Sequence, residues 1–220
     1  TMGIDPEHIF SMAFMCCTCK KFEATREELY VNGRPAIDAV LTTREFGWLI
    51  KHMGIDFVNL PEEEPDHPLG ESTGAGVIFG ATGGVTEAAL RTAYWMLFNE
   101  ELPDDAIDFR EVRGMQGVRV ADIDFKGITL HCAIAHGLAN ANQVLDRMAA
   151  GEEFHWIEVM GCPGGCVGGG GQPYAGANAV PLDERILALR AQSLYRLDSE
   201  RPLRRSHQNP DIQKLYREYL

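Results

Sequence analysis

The residues best suited to chemistry in this 220-residue chain are its cysteines. Five of the six stand in two tight groups, Cys16-Cys17-Thr18-Cys19 and Cys162-Pro163-Gly164-Gly165-Cys166; Cys132 stands alone. Clustered thiols are the pattern of metal ligands, whereas a disulfide framework spaces its cysteines along a short secreted chain. The second group lies in Glu158-Val-Met-Gly-Cys-Pro-Gly-Gly-Cys-Val-Gly-Gly-Gly-Gly-Gln-Pro173, with seven glycines between Gly161 and Gly171. Glycine reaches left-handed angles and admits the close approach of a bulky neighbour. Thiolates so placed suit a [4Fe–4S] cube, which normally takes four cysteines, or a structural zinc ion. Spacing leaves both open, and the glycine content favours the larger object.

Both groups follow apolar segments that read as strands. His8 to Met15 predicts a buried strand running into Cys16, and Phe154 to Met160 predicts one feeding the glycine-rich loop. Ligands at the carboxyl ends of strands are common in open α/β sheets. Further strands are expected at Val77–Gly80, Ile107–Val112, Val118–Phe125 and Ile128–Ala135. Helices are expected at Thr43–Met53 (capped by Thr42 or Thr43 and ended by Gly54), Val85–Asn99, Leu138–Ala150, Leu182–Leu197 and Pro210–Leu220. Asn59 to Gly76 reads as an acidic surface loop. Alternating strands and helices predict an α/β fold with an at least partly parallel sheet. Gly80-Ala-Thr-Gly-Gly84 has a phosphate-loop shape but lacks the lysine, so no nucleotide site is expected.

The motifs carry a resemblance. Met15-Cys16-Cys17-Thr18-Cys19-Lys20-Lys21-Phe22-Glu23 resembles the second signature of the [FeFe]-hydrogenases, M-P-C-x-x-K-x-x-E. The Glu158–Pro173 segment resembles the third. Gly76–Arg91 is similar to the entry of the family's core helix, and Gln192-Ser-Leu-Tyr…Arg204-Arg-Ser-His-Gln-Asn-Pro to its C-terminal segment. The resemblance implies twisted mixed or parallel sheets flanked by helices, with an H-cluster at the lobe interface. Residues 1–180 would be the C-terminal part of the catalytic large-subunit domain, and 181–220 a helical segment like the small subunit. Cys17, Cys162 and Cys166 would ligate the [4Fe–4S] part of the cluster, and Cys166 would bridge to a diiron subsite carrying CO, CN and a bridging dithiolate. Lys20 would hydrogen-bond a cyanide. Met15 and Met160 would line the diiron pocket. Phe79 is a further candidate for that pocket, its plainer reading being core. Glu23 and Glu158 would orient ligands, or serve surface or capping roles. The implied reaction is reversible proton reduction to dihydrogen, with ferredoxin or a similar carrier as electron partner. The alternative is a hydrogenase-like iron–sulfur protein, acting in cluster binding or assembly without that activity.

The chain departs from the pattern at Cys16, where the family has proline, and at Cys19, where it has a non-ligand. Gly168 stands where asparagine is common, a change expected to be mild. The first signature, T-S-C-C-P, does not occur in these residues. A missing N-terminal portion or a partner chain would supply it, and this chain alone is expected to be inactive. A net charge of −12 speaks against nucleic acid or an anionic membrane as the main partner. No apolar run is long enough to span a bilayer, and the first residues lack the pattern of a signal peptide. A cytoplasmic location is expected, with the periplasm as alternative. His131, His136 and His155 read as structural, because no second ligand stands at helical or hairpin spacing. Cys132 reads as a small buried hydrophobe. The basic link Arg201–Arg205 reads as a solvated turn, with docking of an acidic carrier as the alternative.

Overall fold

The computed structural model describes residues 3–63, 66, 70–176 and 180–218. The chain divides into two compact units, Thr1–Glu64 with Gly169–Ala179, and Pro65–Gly168 with Val180–Leu220.

The first unit contains β1 (Met12–Met15), α1 (Cys19–Glu23), hairpin strands β2 (Tyr30–Val31) and β3 (Arg34–Pro35), β4 (Ala39–Thr42) and α2 (Thr43–His52). β1 and β4 pair in parallel, from Met12 opposite Ala39 to Met15 opposite Thr42. The β2–β3 hairpin turns on Asn32-Gly33, both at positive φ (52° and 76°), the geometry that tight hairpins favour. Thr42 and Glu45 close a reciprocal capping box at the start of α2, and Gly54 at φ 67° turns the chain away beyond its end. The expected buried strand from His8 is shorter and more open. Only Met12–Met15 pairs as a strand, and Ile9, Phe10 and Phe14 are 51%, 68% and 49% exposed. Asp5 caps a short turn over Pro6–His8 instead, which uses up the first part of the segment.

The second unit contains α3 (Gly74–Ile78), α4 (Gly84–Phe98), β5 (Val118–Phe125), β6 (Ile128–His136), α5 (Leu138–Ala149), β7 (Trp156–Met160), α6 (Glu184–Glu200) and α7 (Pro210–Glu218). The sheet order is β5-β6-β7, with β5–β6 antiparallel and β6–β7 parallel across α5. Period-two alternation sorts its faces. Ala121, Ile123, Phe125, Cys132 and Ile134 form one cluster with Leu90 and Tyr94 of α4, while Ala133 and Ala135 form another with Val144 of α5.

Two expected strands are absent here. Val77 and Ile78 belong to α3, which Thr73 caps by accepting a hydrogen bond from Gly76 N at 3.1 Å. A short apolar run does not distinguish strand from buried helix. Ile107–Val112 passes through tight turns, Asp104–Ala106 just before it and Arg110–Val112 at its end. Its carbonyls face arginines rather than a strand: Ile107 O accepts from Arg91 Nε and Val112 O from Arg119 Nε. The remaining elements agree with expectation to within a few residues. Parts of the acidic loop (64, 65 and 67–69) and the end of the last helix (219–220) lie outside the described residues.

Candidate metal centre

In the second unit, β7 ends at Met160 and the chain turns through Gly161 into Cys162–Gly168. Gly164 and Gly165 take φ of 74° and 92°. Gly165 N donates to Cys162 O and Gly168 N to Gly165 O, each at 3.0 Å, so the loop closes on itself. The turn between α3 and α4 clasps it: Thr82 N donates to Gly164 O and Val167 N to Gly80 O, both at 3.0 Å. A Cβ on Gly165 would lie 2.7 Å from Thr82 N, and one on Gly168 would lie 2.0 Å from Pro163 O. Gly165 and Gly168 therefore serve close packing against the protein's own backbone. Gly168 is also not a mild change in this chain, since an asparagine side chain has no room there.

The clasping turn is itself fixed from β7. Glu158, 5% exposed, accepts from Gly83 N (2.6 Å), Thr86 N (2.8 Å) and Thr86 Oγ1 (2.8 Å). Its carboxylate caps α4 and neutralises the positive helix end, so of the alternatives for Glu158 the capping role is the one realised. Arg119 Nη2 donates to Thr82 Oγ1 at 3.0 Å, and burial makes its guanidinium easier to deprotonate than in water. From α6, Arg190 Nη1 donates to Val167 O at 2.9 Å, and Leu187 lies where a Cβ on Gly164 would touch it at 3.3 Å.

In the first unit, the chain bends at Cys16 and Thr18 between β1 and α1, carrying half-buried Cys17 and exposed Cys19. The downstream glycine segment packs on this bend. Gly171 N donates to Cys16 O at 2.9 Å, and a Cβ on Gly170 would meet Thr18 Oγ1 at 2.9 Å. Arg44, at the start of α2, donates from Nη1 to Gln172 O (2.8 Å) and from its backbone N to Gly171 O (3.3 Å). Its guanidinium lies 4.5 Å from the Tyr174 ring centre. Lys20 Nζ pairs with both oxygens of Glu23 (2.6 and 2.7 Å). Met15, Lys20 and Glu23 line one groove of about 290 Å³ floored by Ala13, Leu29 and Val40.

Cys162, Cys166 and Met160 thus share one β7-anchored loop, and Met15, Cys17 and Lys20 share one strand–helix junction. Phe79 is 46% exposed at the end of α3, so its core reading fails. The histidines are held structurally: His136 Nε2 lies 3.0 Å from Met115 O, His131 Nδ1 2.6 Å from Asp122, and His155 Nδ1 accepts from His131 N. Cys132 is fully buried, and burial pushes its thiol up to about 11. The Arg201–Arg205 link is not a solvated turn. Arg204 joins Asp108 and Asp198 at 2.7 and 2.6 Å, and Arg205, 7% exposed, joins Asp104 at 2.7 Å.

Sequence reasoning missed the residues around which these contacts form: Arg44, Arg190, Thr82 and the buried cluster at Arg91. Among the described residues, the carboxylates close enough to share a cation are Glu87, Asp108 and Asp198. Arg91, Arg113 and Arg204 already occupy that position. The thiol groups fit iron–sulfur chemistry by their softness and their access to solvent.

Residues 1–170 match the family model "Iron only hydrogenase large subunit, C-terminal domain", and 184–220 match "Iron hydrogenase small subunit". The chain is 50% identical over 219 residues to the NADP-reducing hydrogenase subunit HndD of Solidesulfovibrio fructosivorans, covering 100% of this chain and 36% of that protein. It is 42% identical to Iron hydrogenase 1 of Clostridium pasteurianum, covering 99% and 38%. A structure of an [FeFe]-hydrogenase HydA1 variant from Chlamydomonas reinhardtii superposes with a TM-score of 0.75 at 39% identity, covering 99% of this chain and 60% of that one. The cytosolic Fe–S cluster assembly factor narfl of Xenopus tropicalis matches at 27%, covering 99% and 45%. The chain spans less than half the length of these curated relatives. No helix among the described residues is long and apolar enough to cross a membrane. With its α/β fold, its cysteine-bearing strand ends and a large-subunit match over residues 1–170, the chain belongs to the iron-only hydrogenase family.

Proposed function

We propose that this chain is the part of an [FeFe]-hydrogenase catalytic domain that supplies Cys17, Cys162 and Cys166 to the [4Fe–4S] portion of an H-cluster. The whole protein would interconvert protons and dihydrogen, with electrons from ferredoxin or a similar carrier. Residues 1–180 belong to the large-subunit domain in this reading, and 181–220 form the small-subunit-like segment.

The observation that carries the reading is how the thiols are mounted. Each cysteine turn leaves the end of a parallel-paired strand, β1 or β7, and each is fixed by glycine contacts that leave no room for a side chain. A cofactor of this class performs the electron and proton chemistry itself, while the protein supplies ligands, orientation and electrostatics. Cys166 would also hold the diiron subsite. Met15, Met160 and Phe79 would supply sulfur and apolar surface around it. Lys20 is a charged donor for an anionic ligand, and Glu23 holds its ammonium at 2.6 Å.

The second reading, a cluster-assembly relative without hydrogenase activity, draws on the narfl similarity. The presence of Lys20, Met160 and the Gly-Gly-Gly-Gly-Gln-Pro run favours the first. Anaerobic reconstitution with iron and sulfide, with and without a diiron precursor, separates them by EPR and infrared spectroscopy. A cubane signal together with CO and CN⁻ stretches supports the hydrogenase reading. A cubane signal alone supports the assembly reading, and no iron signal removes both for this chain.

A further inference from the structure

One buried cation of the second unit has no carboxylate beside it. Arg119 stands near the start of β5, on the face that buries Ala121, Ile123 and Phe125, and is 9% exposed. Its N–H groups meet neutral acceptors: Nε donates to Val112 O at 3.2 Å, Nη1 to Gln116 O at 2.8 Å and Nη2 to Thr82 Oγ1 at 3.0 Å. Buried charges are normally paired, because taking a charge out of water is costly. The opposite charge lies across a turn. Buried Glu158 accepts from Gly83 N at 2.6 Å, and Arg119 Nη2 lies 3.3 Å from where a Cβ on Gly83 would stand. Thr82 and Gly83 thus separate an arginine from a glutamate, and neither has an ion-pair partner among the described residues. Burial is the strongest influence against the charged guanidinium, and attraction from Glu158 opposes it.

We propose that Arg119 is a positioning residue for the Cys162–Cys166 loop, acting through Thr82, and that its charge raises the reduction potential of the cluster those thiols hold; the assignment rests on the cluster-binding reading above. The connection is short and lies wholly within the second unit. Thr82 offers its side-chain oxygen to Arg119 and donates its N–H to Gly164 O at 3.0 Å. Gly164 stands between the two cysteines, and Gly80 O of the same turn accepts from Val167 N at 3.0 Å. One-electron reduction of a thiolate-ligated cluster adds negative charge to an already anionic group. A fixed buried cation favours the reduced form, and a fixed buried anion favours the oxidised one. Salt and water screen buried charges much less than exposed ones. A direct ion pair would cancel most of both fields, so the intervening turn lets Arg119 and Glu158 act on the loop separately. Guanidinium suits the task because it is always charged and its planar fork is ordered before it binds.

The test compares the wild-type chain with R119K, R119M, E158Q and the double variant R119M/E158Q. Hydrogen exchange of the metal-free protein reads the positioning role. Loss of the bond to Thr82 is expected to speed exchange at the Thr82 and Val167 amides about ten-fold in R119M, with α5 unchanged. Lysine is expected to restore part of the protection. After iron–sulfide reconstitution, a redox titration followed by EPR reads the electrostatic role. The midpoint potential is expected to fall in R119M, to rise in E158Q, to stay near wild type in R119K and to return toward wild type in the double variant. An arginine serving only as scaffold would not give opposite shifts that cancel. If R119M does not fold, the double variant set against E158Q gives the same two comparisons, with faster exchange and a lower potential expected. Unchanged exchange at Thr82 and Val167 overturns the positioning role. A potential that does not fall on loss of Arg119, or that lysine fails to restore, overturns the electrostatic role. A wild-type chain that takes up no cluster overturns the cluster-binding reading and the electrostatic role with it, while exchange still decides whether Arg119 holds the loop.

Discussion

Replacing Arg91 by methionine should cost the second unit much of its stability. The Arg91 side chain is fully buried, and all its N–H donors are used. Nε donates to Ile107 O at 3.0 Å, Nη1 to Asp198 at 2.8 Å and Arg204 O at 2.9 Å, and Nη2 to Glu87 at 2.7 Å and Asp198 at 2.8 Å. Removing one partner of a buried charge cluster typically costs about 3–5 kcal/mol. Arg113 still reaches Glu87 and Arg204 still reaches Asp198, which places the expected loss near the lower end, about 3 kcal/mol. For a chain of this size that lowers the thermal midpoint by about 6–12 °C. Urea unfolding of R91M, monitored by circular dichroism, measures the loss directly. Burial alone would raise the Asp198 carboxyl, but hydrogen bonds from Arg91 and Arg204 outweigh it and hold the group below the usual carboxylate range. A depressed folded pKa gives stability that is full above about pH 4, where the unfolded aspartate ionises, and lost as the pH falls through the folded value. R91M should therefore flatten the acid limb of the stability curve as well as lower its plateau. A loss below about 1 kcal/mol with an unchanged urea slope would refute the view that this cluster ties α4 to α6.

Other substitutions probe the cysteine loop and its clasp. G165A forces a side chain onto φ 92° and against Thr82 N; a loss of about 1–3 kcal/mol is expected in urea unfolding, with reduced iron uptake on reconstitution. G168N should be similarly harmful, by about 1–3 kcal/mol, because its Cβ meets Pro163 O; equal stability to wild type would show that the loop yields. E158Q turns a carboxylate cap into an amide, and faster hydrogen exchange at Gly83 and Thr86 should accompany a loss of about 1–3 kcal/mol. Cys132, with its thiol pushed up to about 11, should be the last cysteine alkylated by iodoacetamide at pH 8, read by mass spectrometry.

The sequence made the cysteine groups, the cap at Thr42 and the β5–β6–α5–β7 order legible, because each has a local signal in thiol spacing, a capping residue or period-two alternation. Val77–Ile78 and Ile107–Val112 went wrong where short apolar runs carry no period. The Asn32-Gly33 hairpin had a sequence signal, which its brief flanking strands made easy to pass over. The clamps at Arg44 and Arg190 and the cluster at Arg91 depend on partners far along the chain, and nothing nearby announces them. The glycine run stands out in the sequence, and only the folded chain shows which of its members are packed against protein atoms: Gly165, Gly168, Gly170 and Gly171.

The Glu158 cap has a temporal consequence. Its hydrogen bonds to Thr86 and Gly83 span 72 and 75 residues, and the Arg91–Asp198 contact spans 107. Contacts of such long range form late, after the loop-closure entropy of the intervening chain has been overcome. A chain growing from its N-terminus exposes Cys17 well before β7 exists to set the Gly80–Gly84 turn, and before α6 exists to hold Val167. The clasped Cys162–Cys166 loop is therefore completed only near the end of folding, and metal that reaches Cys16, Cys17 or Cys19 earlier meets those thiols before that loop is set.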